Sequence, residues 1–106
     1  MALSKFGFIV TGPGLDPAQH RVTLRSQAFE MIAVGVSGPE QALDVARGML
    51  AEDVQLIELC GGFGPIWTGR VIEALESRIP VGAVSYGPES IRALHGLFDM
   101  TQPPNG

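Results

Sequence analysis

Glu58 is the residue most out of place in this sequence. It interrupts the apolar run QLIELC at 55–60, two positions before a glycine-rich turn. A carboxylate in such a run is costly to bury unless it is paired. Desolvation there raises its pKa and a neighbouring arginine lowers it, so Glu58 is a candidate general base or ligand-orienting acceptor. The alternative is a structural partner for Arg21, Arg25 or Arg70, or a half-exposed edge position, and either role requires a hydrogen-bond partner. Strand alternation places Cys60 on the same side. A thiol at the end of a strand, with a helix amino terminus following, can become a nucleophile, although free cysteines are commonly inert core residues. The ten residues from Cys60 to Arg70 do not fit the short cysteine-to-arginine loop of phosphatases, and a two-thiol mechanism lacks its second cysteine.

The third candidate for proton transfer is His20, in a DPAQHR segment that can fold back over the same region with Arg21 beside it. The blander reading is a solvated loop histidine, and His95 reads as a boundary residue of a helix face. With two histidines and no acid at ligand spacing beside either, no preformed metal site is expected, and no cofactor is indicated. The turn itself, CGGFGP at 60–65, leaves the backbone bare at Gly61, Gly62 and Gly64, which suits close approach by a phosphate or carboxylate. It is neither a Walker motif nor a dinucleotide fingerprint, and glycines also serve sharp turns for structural reasons alone. Ser85 and Tyr86 offer a hydroxyl and an aromatic wall. Phe63, Ile66 and Trp67 offer apolar surface, which serves a ligand or a subunit interface equally well.

These residues need elements to position them. Four short apolar segments, at 5–10, 29–36, 55–60 and 79–84, read as buried strands. Helical spacing is clearest where Ala42, Val45, Ala46, Met49 and Leu50 share one stripe. Further helices are expected over 65–78 and 88–99, with Val71, Ile72 and Leu75, then Ile91, Leu94 and Phe98, facing inward. Each strand runs into a Gly-Pro pair, at 12–13, 38–39, 64–65 and 87–88. Glycine permits the turn and proline presets the first helical turn. Ser37 and Glu40 form a possible capping box at the second pair. The first crossover, 11–27, stays open: Asp16-Pro17 resembles a helix start, while Val22, Thr23 and Leu24 suit an extended edge.

Alternating strands and helices predict an α/β domain, a small flavodoxin-like or Rossmann-like three-layer fold over 1–100. Its four-stranded, mainly parallel sheet is expected in the order 2-1-3-4, with helices on both faces, and 101–106 as a disordered tail. Ligands of such sheets bind beyond the carboxyl ends of the strands, where the four turns gather. The chain of 106 residues is 45% hydrophobic but only 17% charged, against roughly 25% in an average globular protein, which favours self-association, most simply as a homodimer. A net charge of −4 and the lack of any Lys/Arg cluster speak against nucleic-acid and anionic-membrane partners, and no apolar run approaches a membrane span. One cysteine and no leader-like segment place the protein in the cytoplasm by expectation.

The strings ELCGGFGP, KFGFIVTGPGLDPAQHR and PVGAVSYGPES make the chain similar to a family of short bacterial proteins known only as a domain of unknown function. The resemblance covers nearly all of residues 5–90 and implies no activity. It implies that Asp16, His20, Arg21, Glu58, Cys60 and the glycine turn belong to one shared constellation. Two functions are therefore carried forward. One is a small anionic-ligand site, perhaps enzymatic, with Glu58, Cys60 or His20 catalytic and Gly61, Gly62, Phe63, Gly64, Arg21, Ser85 and Tyr86 binding. The other is a non-catalytic oligomerising or regulatory module that uses Trp67 and its neighbours.

Overall fold

The computed structural model describes residues 2–98. Strands β1 (Lys5–Thr11), β2 (Arg21–Arg25), β3 (Glu30–Val36), β4 (Ile57–Leu59) and β5 (Val81–Ala83) alternate in part with helices α1 (Ala42–Ala51), α2 (Gly64–Ala74) and α3 (Ile91–Phe98). They form one mixed sheet in the order β2-β3-β1-β4-β5. β3, β1, β4 and β5 run parallel, and β2 is antiparallel to β3. The fold is thus a small α/β domain with a mostly parallel sheet. It differs from expectation in having five strands, because the undecided first crossover supplies an antiparallel edge strand outside the four anticipated ones. Asp16 starts no helix. Its carboxylate accepts from the amide of Ala18 at 2.9 Å, closing a turn, and the chain then extends into β2.

Burial follows the pleat. Ile9, Ile32, Val34, Ile57 and Leu59 point to one side of the sheet and form the core with Ala42, Ala46 and Met49 of α1 and Val71 and Leu75 of α2. Both helices therefore lie on one face. The reason is topological: β3-α1-β4 and β4-α2-β5 step across the sheet in the same direction, and right-handed crossovers in one direction stack on one side. The connection that reverses direction, β1 to β3, would place a helix on the opposite side. Here it is the turn and β2, so the expected second helical layer is missing among the described residues. Leu15 reaches over that side at the carboxyl ends of β1 and β3, packing where Gly12 and Gly35 leave space.

Helix boundaries show local corrections. Ser37 is met by Gln41 and not by Glu40: the Gln41 side-chain oxygen accepts from the Ser37 amide at 2.9 Å. The chain enters α1 through a 3-10 turn at Pro39–Gln41. α2 ends at Ala74, short of the expected 78, where Glu76 and Ser77 adopt left-handed backbone at φ 55° and 56°. α3 follows a 3-10 turn at Pro88–Ser90, and its expected inward residues are not sealed: Ile91 and Phe98 stay 59% and 69% exposed. The anticipated disordered tail at 101–106 lies outside the described residues. Among the described residues no helix is long and apolar enough to cross a membrane.

Candidate functional site

The carboxyl ends of β1 and β4 open into a cavity of about 560 Å3, lined by Thr11, Cys60, Gly61, Gly62, Tyr86, Leu94 and Phe98. A second cavity of similar size lies on the other side of Tyr86, between α2 and α3, and includes Gly64, Thr68, Ile72, Ser85 and Ile91. Gly61, Tyr86 and Leu94 border both. The common polarity of β1, β4 and β5 produces this arrangement, because their downstream turns emerge at the same rim.

Cys60 follows the last residue of β4 and packs half-buried against the core. Its sulfur accepts from the main-chain amide of Thr11 at 3.3 Å and lies 3.5 Å from the Thr11 hydroxyl. Gly62 is required by close approach: a Cβ at that position would sit 2.7 Å from the Thr11 hydroxyl oxygen and 3.7 Å from the Cys60 sulfur. Gly64 is required by conformation, with φ at 70° as the chain turns into α2. α2 starts without a side-chain cap and with proline in its first turn, so part of its amino-terminal amide set faces the rim uncapped by side chains. The Tyr86 ring lies over Gly61, within 3.0 Å of where a Cβ would stand.

The anticipated constellation is only partly assembled. Cys60, Gly61, Gly62 and Tyr86 share the first cavity, while Gly64 and Ser85 join Tyr86 at the second. Phe63 is not available to a ligand, because it is 3% exposed and belongs to the core. Glu58 lies in the middle of β4, opposite Phe8 and Gly82, and projects exposed from the face without helices. It lines neither rim cavity. His20 stands at the start of β2, on the far side of β3, and its Nδ1 accepts from the Asp16 amide at 2.8 Å. Arg21 is engaged by Glu52 through two hydrogen bonds of 3.0 and 2.6 Å. That hydrogen bond is the main reason the Arg21 guanidinium is pushed up and the Glu52 carboxyl held down from their ordinary values, desolvation opposing it in both. Of the six features grouped by resemblance, Cys60 and the glycine turn therefore meet, and Asp16 meets His20 separately.

Thr11, Leu94 and Phe98 were missed by sequence reasoning. Thr11 is the last residue of β1 and opens the TGPG turn, so its position in the repeated strand-to-turn pattern was the available signal. Leu94 and Phe98 read as core because their helical spacing is that of a buried stripe. Trp67, anticipated as interface, is half-buried and stacks under the Arg70 guanidinium at 4.4 Å. Among the described residues no three His, Cys, Asp or Glu side chains are grouped as metal ligands.

No curated protein matches the sequence. Residues 4–99 match a family of unknown function, DUF6506, and since that span takes in every strand and helix described above, the chain belongs to this family.

Proposed function

We propose that the protein binds a small anion with an apolar body in the rim cavity, the glycine turn holding its charged end. The observation that carries this reading is the cavity of about 560 Å3, in the size range of ligand sites, built at the carboxyl ends of parallel strands. The Cys60 and Phe63 amides donate to the Ile9 and Cys60 carbonyls, so the amides of Gly61, Gly62 and Gly64 are the ones suited to a carboxylate or phosphate. Leu94, Phe98 and Tyr86 suit the apolar remainder. Cys60 and the Thr11 hydroxyl are the side chains placed to touch the ligand, and any catalysis would run through them and not through Glu58 or His20. The acidic balance and lone cysteine support a cytoplasmic protein acting on a small molecule, without a nucleic-acid or membrane partner.

The test is a thermal-shift titration of the intact chain with inorganic phosphate and a series of short-chain carboxylates. A ligand present at ten times its dissociation constant adds roughly 1.4 kcal/mol, or about 4–8 °C in a domain of this size. That shift is expected in the wild type and absent in Gly62→Ala. No shift with any member of the series, or one that survives Gly62→Ala, would remove the proposal.

A second reading, an oligomerising module, is favoured by the exposed apolar side chains Val22 and Leu24 of β2, at 65% and 66%. The two readings are compatible, because neither residue lines the rim cavity.

A further inference from the structure

Each strand has two sides, and among the described residues α1 and α2 cover one of them. β2 shows the imbalance most sharply. Arg21, Thr23 and Arg25 share the side of Val34, Ile32 and Glu30, where Arg21 pairs with Glu52 and Arg25 with Glu30. Val22 and Leu24 share the side of Ala33 and Met31, facing away from α1 and α2. An edge strand whose outer side met water would carry the reverse alternation, polar outward and apolar toward the helices. The same open side continues through Phe6, Phe8 and Val10 of β1, with Phe29 packed on Phe6 at a ring separation of 5.6 Å.

We infer that this open face is a homodimer interface, on which a second copy of the chain stacks sheet against sheet. The inference deepens the self-association reading and is independent of the rim ligand. Strand residues repeat at about 3.3 Å along and about 4.8 Å across a sheet, so β2, β3 and β1 together cover roughly 300 Å2 in projection. Side-chain relief and Phe29 add to this. Two such faces give roughly 600 Å2 in projection before that relief is counted, toward the about 1,000 Å2 of accessible surface that a specific interface needs.

The chemistry of the face selects its occupant. Among its strand side chains Glu58 is the single charge, so it offers neither a basic patch for an acidic partner nor an acidic one for a basic partner. What it recognises is another apolar, pleated surface, and a second copy presents one of identical shape. A two-fold axis lying between the sheets and running along β3 puts apolar β2-β3-β1 on its own counterpart. Glu58, two strands from β3, then falls at the rim, with the two carboxylates roughly 20 Å apart and screened from each other. An apolar centre with a charged rim is the usual anatomy of an interface.

The experiment is light scattering of the full chain over a concentration series, with Val22→Glu, Leu24→Glu and, as a control on α2, Ile66→Glu. The wild type and Ile66→Glu are expected at twice the 11.2 kDa chain mass. The two β2 variants are expected at the single mass, with the dissociation constant raised at least about 100-fold. Both substituted side chains are already largely in solvent within one chain, so circular dichroism should remain that of the folded protein. Val22→Thr, which keeps shape and strand preference, should raise the constant in the same direction by a smaller factor. A wild-type monomer at about 100 µM, a dimer that survives both β2 charges, or dissociation by Ile66→Glu would each overturn the inference. None of these results bears on the phosphate and carboxylate titration.

Discussion

The main-chain amide of Thr11 donates to the sulfur of Cys60 over 3.3 Å, joining the ends of β1 and β4 on the wall of the rim cavity. The contact depends on the next turn lying flat against it. Gly62 supplies that flatness, since any Cβ there would press on the Thr11 hydroxyl at 2.7 Å.

Gly62→Ala is therefore expected to cost about 1–3 kcal/mol in urea unfolding, the range for overpacking at a tight site. Threonine is stiff at χ1, so its hydroxyl cannot swing away freely. Thr11→Ala removes the obstructing oxygen, and the double variant Thr11→Ala/Gly62→Ala should recover most of the loss. Additive losses in this cycle would show that the two residues do not press on one another.

Tyr86 lines both cavities and is 55% exposed. Tyr86→Ala should merge the two spaces at little cost in stability and raise the rate at which iodoacetamide alkylates Cys60 in the native protein several-fold, as followed by mass spectrometry. If Cys60 labels only in denaturant, in either protein, the thiol is sealed in the core and does not reach a ligand.

Gly64 tests the turn without crowding any neighbour. Nothing stands within 4 Å of a Cβ added there, so the penalty of Gly64→Ala comes from its φ of 70° alone. A loss of about 1–2 kcal/mol in denaturant unfolding is expected. A neutral result would mean the turn relaxes into another backbone conformation at no cost.

Acid should weaken the ion pairs on the helical side of the sheet. The Arg21 hydrogen bond is the chief cause holding the Glu52 carboxyl below its ordinary range, and the Arg25 hydrogen bond does the same for Glu30. A carboxyl depressed in the folded state contributes stability that is fully present above its unfolded value, about 4.3, and is lost as pH falls through the lower folded value. The Arg21–Glu52 pair is accessible to solvent, so its share is about 0.5 kcal/mol. Unfolding of Glu52→Gln should fall short of the wild type by that amount at pH 7, and the gap should close below about pH 4. A gap unchanged at pH 3 would trace the loss to packing and not to charge.

Much of this architecture is written locally. The largely apolar runs at 5–10, 29–36, 55–60 and 79–84 each hold a strand, although the last two are cut to Ile57–Leu59 and Val81–Ala83, and the stripe from Ala42 to Leu50 is a helix because its spacing matches one helical face. Gly-Pro pairs mark where strands turn. β2 was legible only as one of two alternatives, because Val22 and Leu24 alternate with arginines that make ion pairs on the helical side, so its pattern points away from the one core the chain builds by itself.

The site divides in the same way. Sequence by itself determined that a glycine turn and Cys60 stand at the end of a strand, because residue type and adjacency are local properties. Tertiary structure alone decided that Thr11 meets that cysteine, that Arg21 is spent on Glu52, and that Glu58 parts company with Cys60. Strand alternation holds only while the strand lasts; β4 stops at Leu59, and Cys60 turns to the neighbouring strand end. Which face of the sheet carries helices is likewise set by the direction in which each crossover steps, a relation between segments far apart in the chain that no local pattern encodes.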